Sequence, residues 1–511
     1  MRPDARRWLL PLLAFLYLFP FPYFPAIRSP NEGCRLYEAR AIVDDGTFAV
    51  DRQLERYGPM GDLSIFRGHY YSTKAPGISL AGAGVYAVLK AFAGQRPERV
   101  SNGVLLYFLR ALLCSVPTLL LAWALRRRLW AWTGDGLAAD AIVLAYGLGS
   151  LAYTYGILYF SHQACAVLLC GSFLLVERAR EEDRLAPAAW AGLCAGAAVL
   201  VEYTAALAAL PLGLYALFAL RRRIQGTLAF GLASLPPQLG LLLYHKVCFG
   251  GFFDNGYKHN VNPLYQSWHE RGFMGMSLPT LHGLVGSFLD PARGLFVFSP
   301  FLVLGPIGLF LLDRRPERRA PTRLLWTMLG LYALFTASMV YESWGWTVGP
   351  RHLTPLAALL VLPAGVALAE ARKRGPRALG LAAGLCLASI TITSLATAVY
   401  PHFPEPFTNG FFELTLPLLF AGFLPPNALS LLFGLGAWSW LLYFAALALA
   451  LGWIGWRLTP DGQSRGLALA TLSAFFLVLG VAGRGDSPQK QSMLRFVEQS
   501  YHAPDQVAGR Q

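Results

Sequence analysis

Long apolar runs separated by short polar segments dominate the chain. A helix that crosses a membrane needs about 20 mostly apolar residues. Thirteen runs reach or nearly reach that length, and they occupy residues 8–27, 104–125, 137–158, 163–177, 185–201, 203–220, 227–248, 295–312, 322–340, 353–369, 377–399, 428–456 and 466–483. The pattern predicts an all-α polytopic membrane protein with about 13 transmembrane helices.

One further apolar run, 77–93, is short, rich in Gly and Ala, and interrupted by Lys90. Cytoplasmic loops of membrane proteins collect Lys and Arg. If 77–93 does not cross and the N-terminus is cytoplasmic, the inner loops hold 18 such residues and the short outer loops hold four. If it crossed, every later basic cluster would move to the outer side. We therefore predict an interfacial or re-entrant helix at 77–93, a cytoplasmic N-terminus and a C-terminus outside.

The composition agrees with a membrane protein. Hydrophobic residues make up 55% of the chain and charged residues 14%. Soluble domains carry about 25% charged residues, so a disordered chain is excluded and a set of soluble domains is disfavoured. The net charge of +14 comes from basic residues dispersed as topology signals, which excludes a nucleic-acid partner. The seven cysteines form no CxxC pair, so neither a disulfide framework nor a zinc cluster is indicated.

The pattern divides the chain into six segments. Residues 1–27 are basic and then apolar without a small-residue cleavage site, which indicates a cytoplasmic stub with a retained signal anchor as the first transmembrane helix. The others are a first outer loop with juxtamembrane or re-entrant helices at 28–103, transmembrane helices 2–7 at 104–248, an outer loop at 249–294, transmembrane helices 8–13 at 295–483, and an outer tail at 484–511.

Polar residues on the predicted outer side concentrate in 28–76, 249–294 and 341–352. Long structured loops usually serve function. A transporter or lipid flippase, the alternative class, would place polar groups at mid-membrane. The helices are largely apolar in their middles, which favours chemistry at the outer boundary of an inner or plasma membrane. A non-catalytic scaffold or a degenerate transferase is a third possibility.

The first outer loop opens with a helix signal. Ser29 and Glu32 match a capping box with Pro30 at the first helical position. Apolar residues follow at helical spacing, which predicts a helix lying on the membrane and ending at 45–47. Glu32 has two possible roles, as part of the helix cap or as an acidic group just outside the bilayer.

The same loop ends with the run from His69 to Gly77, in which Lys74 precedes a backbone break and a helix start. A cation beside helix-terminal N–H groups makes a phosphate site. A lysine that snorkels to the interface is the alternative.

Two more outer segments carry candidate residues. In 341–352, Trp344 and Trp346 could belong to an aromatic belt or stack on a sugar, and Arg351 could cap the next helix or clamp an anion. Ser161 and His162 form a polar pair in a tight turn between the third and fourth crossings. A lone histidine is more often structural.

These residues resemble the integral-membrane glycosyltransferases of the GT-C superfamily, closest to the protein O-mannosyltransferases and the lipid A aminoarabinose or galacturonosyl transferases. The likeness covers about residues 8–250 and the Arg351 turn. Asn31–Glu32 stands at the family's acidic pair, and 74–77 at its Lys/His-Pro-Pro motif. Asn31 replaces the expected Asp. Ser161–His162 lies where many relatives place an acidic residue. The lack of that acidic residue here argues against a divalent metal.

The resemblance implies a sugar on a polyprenyl phosphate as donor, a reaction on the extracytoplasmic face, and a glycan, lipid or protein acceptor, with membrane lipids around the chain. It indicates no definite cofactor beyond this donor, and a divalent metal is disfavoured. It implies Glu32 as the base, with Asp62 and the pair Asp44/Asp45 as reserves. The substrate-binding candidates are Lys74, Arg351, Arg110, His162, Asp62 and His69.

Overall fold

The computed structural model describes residues 8–24, 29–182, 184–272, 275–339, 345–483 and 485–501. The predictions that concern residues 1–7, 25–27, 341–344, 484 and 502–511 lie outside this range. They include the prediction that Trp344 belongs to an aromatic belt or stacks on a sugar.

The described chain is mainly helical. The first elements along the chain are α1 (Leu9–Leu18), α2 (Pro30–Asp44), α3 (Asp51–Tyr57), β1 (Leu63–Phe66), β2 (His69–Ser72) and α4 (Gly77–Phe92). The next segment contains α5 (Asn102–Arg110), α6 (Val116–Thr133), α7 (Gly136–Leu148), α8 (Leu151–Gly156), α9 (Ser161–Glu182), α10 (Leu185–Val201), α11 (Ala206–Ala219) and α12 (Ile224–Phe249). The remaining helices are α13 (Pro263–Glu270), α14 (Leu281–Leu289), α15 (Leu295–Phe298), α16 (Leu304–Asp313), α17 (Arg319–Ser338), α18 (Thr354–Arg374), α19 (Pro376–Val399), α20 (Leu416–Phe420), α21 (Ala428–Phe433), α22 (Trp440–Arg457), α23 (Gly462–Val481) and α24 (Pro488–Tyr501).

The chain is a multi-pass membrane protein. Within the described ranges, six helices are long and apolar enough to cross a membrane: Asn102–Thr133, Ile224–Phe249, Arg351–Arg374, Pro376–Val399, Gly436–Arg457 and Gly462–Val481. Several predicted crossings are broken into shorter pieces. The run 137–158, for example, divides into α7 and α8 where Ser150 caps a new helix. The number of 13 crossings and the orientation of the termini stay predictions.

The helix α18 lies at the centre of the bundle. Of the apolar window in Arg351–Arg374, 94% is buried, against 22% in Ile224–Phe249 and 17% in Gly462–Val481. The helix α18 packs against α7, α9, α16 and α19. Arg351 begins the short turn that leads directly into α18, so this central position brings the arginine to the middle of one end of the bundle.

A β-hairpin interrupts the first loop, so the expectation of an all-α chain is wrong here. Strands β1 and β2 are antiparallel, with Phe66 paired to His69. The two connecting residues, Arg67 and Gly68, have φ of 50° and 84°. Such left-handed residues form the tight turns that match the twist of paired strands. Residues 256–260 dock on this hairpin, where Ser64 Oγ donates to the Gly256 carbonyl at 2.6 Å.

The helix α2 has the predicted bounds but a different environment. It begins at Pro30 and its C-cap is Asp45, as expected. The Ser29 side chain makes no cap hydrogen bond, and the residues from 31 to 41 are nearly all buried. The expectation that this helix lies on the membrane is therefore wrong. Its buried charged side chains have partners inside the protein, as where Tyr244 donates to Glu38 Oε1 at 2.7 Å.

The predicted helix at 77–93 is present as α4. A Cβ at Gly77 would lie 2.7 Å from the Leu200 carbonyl oxygen, so only glycine allows α4 to start this close to the end of α10. The lysine that interrupts the apolar run is paired, with Lys90 Nζ 2.7 Å from Asp44 Oδ1. Whether α4 is re-entrant stays a prediction.

Candidate functional site

The hairpin closes an ion pair between Asp62 and Lys74. Asp62 precedes β1 and Lys74 follows β2, so strand pairing brings them together. Thr73 fixes the junction, since its backbone N–H and its hydroxyl both donate to the Asp62 carbonyl at 3.0 and 2.9 Å. Lys74 Nζ lies 3.1 Å from Asp62 Oδ1. The Tyr257 ring, held by the segment docked on the hairpin, lies 5.4 Å from Nζ.

A second cation, Arg351, acts on the same carboxylate. Burial raises the pKa of Asp62, but Lys74 and Arg351 outweigh it and hold the pKa below its ordinary value. Burial lowers the pKa of Lys74, but Asp62 together with Tyr257 and Cys34 outweighs this effect, so that pKa is raised. Both groups are therefore charged at neutral pH. Arg351 Nε is buried and has no hydrogen-bond partner among the described residues.

Next to this pair, three residues from different helix ends meet. His162 lies at the start of α9, Glu202 is the C-cap of α10, and His352 lies just before α18. One possible ligand atom from each lies within 4.8 Å of the others. His162 Nδ1 is 3.6 Å from Glu202 Oε2, which also accepts a hydrogen bond from Ser161 Oγ at 2.6 Å.

Arg35 connects the two groups. Its Nη2 donates to Ser161 Oγ at 2.7 Å and lies 4.0 Å from Glu202 Oε2. It also interacts electrostatically with Asp62 and Lys74. We call the assembled set the polar cluster, which consists of Arg35, Asp62, Lys74, His162, Glu202, Arg351 and His352. All seven lie in segments or at helix ends for which the charge pattern predicts the outer side.

Glu32 lies beside the polar cluster and is coupled to it through Arg35. Its Oε1 accepts the backbone N–H of Tyr159 at 2.7 Å. Burial raises the pKa of Glu32 to about 7, although the Tyr159 hydrogen bond, Arg110 and Arg35 all act to lower it. A carboxylate that titrates near neutrality is suited to accept a proton. The same hydrogen bond supports the backbone turn that leads to Ser161.

Two predicted residues are not brought into the polar cluster. The Arg110 guanidinium donates to the carbonyl of Tyr17 at 3.1 Å and to that of Pro20. It thereby supplies hydrogen bonds to backbone carbonyl groups at the C-terminal end of α1. His69 lies at the exposed edge of the hairpin, where its Nδ1 is 3.3 Å from Asp51 Oδ2. Trp346 is described and its ring lies 6.4 Å from that of Phe496.

Comparison with known proteins gives structural neighbours only. No family model matches the chain, and no curated protein matches it. ArnT from Cupriavidus metallidurans in the apo state is 15% identical with a TM-score of 0.48, covering 92% of this chain and 77% of that one. ArnT from the same organism bound to undecaprenyl phosphate is 15% identical with a TM-score of 0.47, and the match covers 93% of this chain and 78% of that one. Arabinosyltransferase EmbB from Mycobacterium smegmatis is 16% identical with a TM-score of 0.43, and the match covers 98% of this chain and 42% of that one.

Sequence reasoning did not select Arg35, Glu202, His352 or Tyr257 as site residues. Arg35 carried one usable signal, because it lies one helical turn after Asn31 and is charged within a segment predicted to pack on an apolar surface. The other three lie in separate segments, and only the folded chain brings them together.

Three residues could hold a metal ion. His162, Glu202 and His352 offer two nitrogens and one carboxylate, a set found in catalytic zinc sites. The surrounding charge opposes a cation, because Arg35 lies 4.0 Å from the carboxylate and Arg351 precedes His352. Ser161 and Arg35 already occupy the Glu202 oxygen that faces His162.

Proposed function

We propose that the chain is a membrane glycosyltransferase that moves a sugar from a polyprenyl-phosphate donor to an acceptor hydroxyl on the extracytoplasmic face. One observation carries the proposal: Lys74 and Arg351 act on the same partly buried carboxylate, Asp62, inside the polar cluster. Two cations from distant segments at one buried point are suited to a phosphate.

The leaving group of such a reaction is an anionic phosphate, so fixed cations are needed where charge develops. Asp62 holds Lys74 in place before a donor arrives. The donor phosphate then takes charge-assisted hydrogen bonds from Lys74 and Arg351. The start of α4, three residues after Lys74, adds backbone N–H groups that favour an anion.

The polyprenyl tail needs an apolar surface that begins at the phosphate. The helix α4 supplies one, because its exposed side chains include Leu80, Val88 and Phe92, the last 89% exposed. A polyprenyl phosphate with its phosphate at Lys74 and its tail along α4 would contact both the cation and the apolar face of this segment.

The acceptor hydroxyl attacks the anomeric carbon while the bond between that carbon and the phosphate oxygen breaks. The bonding electrons leave with the polyprenyl phosphate, and the hydroxyl proton passes to a carboxylate. We assign this role to Glu32, whose pKa of about 7 suits a base. Glu202 is the second candidate. Asp62 is a weaker base because Lys74 and Arg351 lower its pKa.

Binding of a polyprenyl phosphate to the purified full chain tests the clamp. Lys74→Ala should weaken binding about tenfold to a hundredfold, since a hydrogen bond to a charged group contributes about 1.5–3 kcal/mol. Lys90→Ala is a matched control, because it breaks another partly buried Lys–Asp pair in the same loop. Equal binding by both variants and the wild type would overturn the clamp.

Sugar transfer is then measured with a panel of polyprenyl-phosphate sugars and the acceptor glycans, lipids or proteins of the cell envelope. A covalent product that depends on Lys74 and Arg351 supports the proposal. Movement of the labelled lipid across vesicles with no covalent product would instead support a flippase.

A further inference from the structure

A second charged site lies at the other end of α9. The polar cluster is at the first turn of this 22-residue helix, which is about 33 Å long. At its last turn there is a cavity of about 400 Å³. Five arginines line it: Arg180, Arg184, Arg221, Arg222 and Arg223.

Arg221 and Arg222 give the cavity positive charge that forms no ion pair with an acid of the described residues. No acidic side chain is among its described lining residues. Arg180 is paired with Glu177 at 2.9 Å and Arg184 with Glu182 at 3.7 Å, both outside the lining, and Arg221 donates to the Phe218 carbonyl at 2.8 Å. Arg222 makes no hydrogen bond or ion pair with any residue in the described ranges.

Topology explains why arginines are present but not why they line a cavity. A positive-inside signal requires only charge on the cytoplasmic side, and arginines spread through solvent would supply it. Here guanidinium groups from the end of α9 and from the turn between α11 and α12 converge. Guanidinium forks match the oxygens of a phosphate group.

The cavity continues into an exposed apolar surface. Phe218 lines the cavity and is 51% exposed. One and two turns earlier on α11, Leu214 and Leu210 are 60% and 70% exposed. On α12, Ile224 and Leu228 are 66% and 53% exposed. A ligand that fits both parts has an anionic head and apolar chains.

We propose that this cavity binds the phosphate headgroup of an anionic phospholipid, whose acyl chains lie along the exposed faces of α11 and α12. Basic pockets between helices at the cytoplasmic surface are suited to such headgroups. The site is separate from the polar cluster and does not depend on the proposed transferase activity.

Native mass spectrometry of the full chain in a neutral detergent tests the proposal. The protein is titrated with phosphatidylglycerol, phosphatidylcholine and inorganic phosphate in parallel. We expect phosphatidylglycerol to bind about tenfold more tightly than phosphatidylcholine, and Arg221→Gln/Arg222→Gln to remove about that factor. The matched control, Arg374→Gln/Arg377→Gln, removes the same charge from exposed positions outside the cavity and should bind like the wild type.

Three results would overturn the proposal. They are equal binding of the two lipids, equal weakening by both double variants, and displacement of phosphatidylglycerol by an equal concentration of inorganic phosphate. If the first double variant loses its thermal unfolding transition, Arg222→Gln replaces it. This exposed residue has no described partner to lose, and it should still weaken phosphatidylglycerol binding about threefold to fivefold.

Discussion

Arg35 Nη2 donates a hydrogen bond to Ser161 Oγ at 2.7 Å, joining residues that are 126 positions apart in the chain. The hydrogen-bond chain continues from Ser161, because its hydroxyl donates to Glu202. The helix α2 is thereby tied to the start of α9 and the end of α10, and both groups of the polar cluster share one buried guanidinium.

Arg35→Lys should lower the free energy of unfolding by about 1–3 kcal/mol, because lysine keeps the charge but cannot bridge both partners. Thermal unfolding in detergent measures the change. Arg56→Lys is the control, since its ion pair with Glu98 is exposed and 3.9 Å long. That substitution should change stability by less than about 0.5 kcal/mol. Equal effects of the two substitutions would show that Arg35 is not a structural link.

The ion pair between Asp62 and Lys74 should stabilise the protein only within a pH window. The pKa of Asp62 is lowered in the folded state, so its contribution is present above the unfolded pKa and is lost as pH falls through the folded value. The pKa of Lys74 is raised, so its contribution is present below the unfolded pKa and is lost as pH rises through the folded value. The window therefore runs from about pH 4 to about pH 10.

Asp62→Asn tests this window by thermal unfolding between pH 3 and pH 8. The variant should be less stable than the wild type at neutral pH, and the difference should shrink as the pH falls below about 4. Asp51→Asn is the control, because Asp51 forms an exposed pair with His69. A difference that does not change with pH would mean that the Asp62 charge contributes nothing.

These residues show how far the sequence leads. Glu32, Lys74 and Arg351 were predicted because each has chemistry that is unusual beside an apolar run. Arg35, Glu202 and His352 were not, because their meeting depends on how α2, α9, α10 and α18 pack. The hairpin was not predicted, because its two strands have only four residues each and give a weak pattern. The burial of α2 was missed because its hydrophobic spacing fits a surface helix equally well.

Glu32 should give a pH dependence of its own. If it is the base, the transfer rate should fall as the pH drops below about 7, where the carboxyl is protonated. Glu32→Gln should lower the rate by about 10²–10⁴ and remove that pH dependence. Glu202→Gln, measured beside it, separates the two candidate bases. A Glu32→Gln enzyme with an unchanged rate and an unchanged pH profile would assign the role elsewhere.

Glu32 also makes an independent prediction about stability. Its folded pKa of about 7 lies above the ordinary value of 4.5, so the folded state binds more protons between these two values. Stability should therefore decrease as the pH rises from about 4.5 to about 7. Glu32→Gln should remove this part of the decrease, which thermal unfolding measures without any substrate. A wild-type curve that the substitution leaves unchanged would contradict the raised pKa.

The orientation of the bundle can be tested with single cysteines and an impermeant thiol reagent on intact cells. Ser72 is buried and cannot report, whereas the neighbouring His69 is 62% exposed at its side chain. His69→Cys should be labelled in intact cells, and Arg222→Cys only after the membrane is opened, because the arginine clusters are predicted to be cytoplasmic. Of the native cysteines, Cys194 is partly exposed and the other six are buried, so Cys194→Ala supplies the background. Labelling of both positions in intact cells would place the polar cluster and the arginine cavity on the same side. The cytoplasmic lipid site would then have no physical basis, whereas a lack of labelling at His69→Cys in intact cells would contradict an extracytoplasmic transfer reaction.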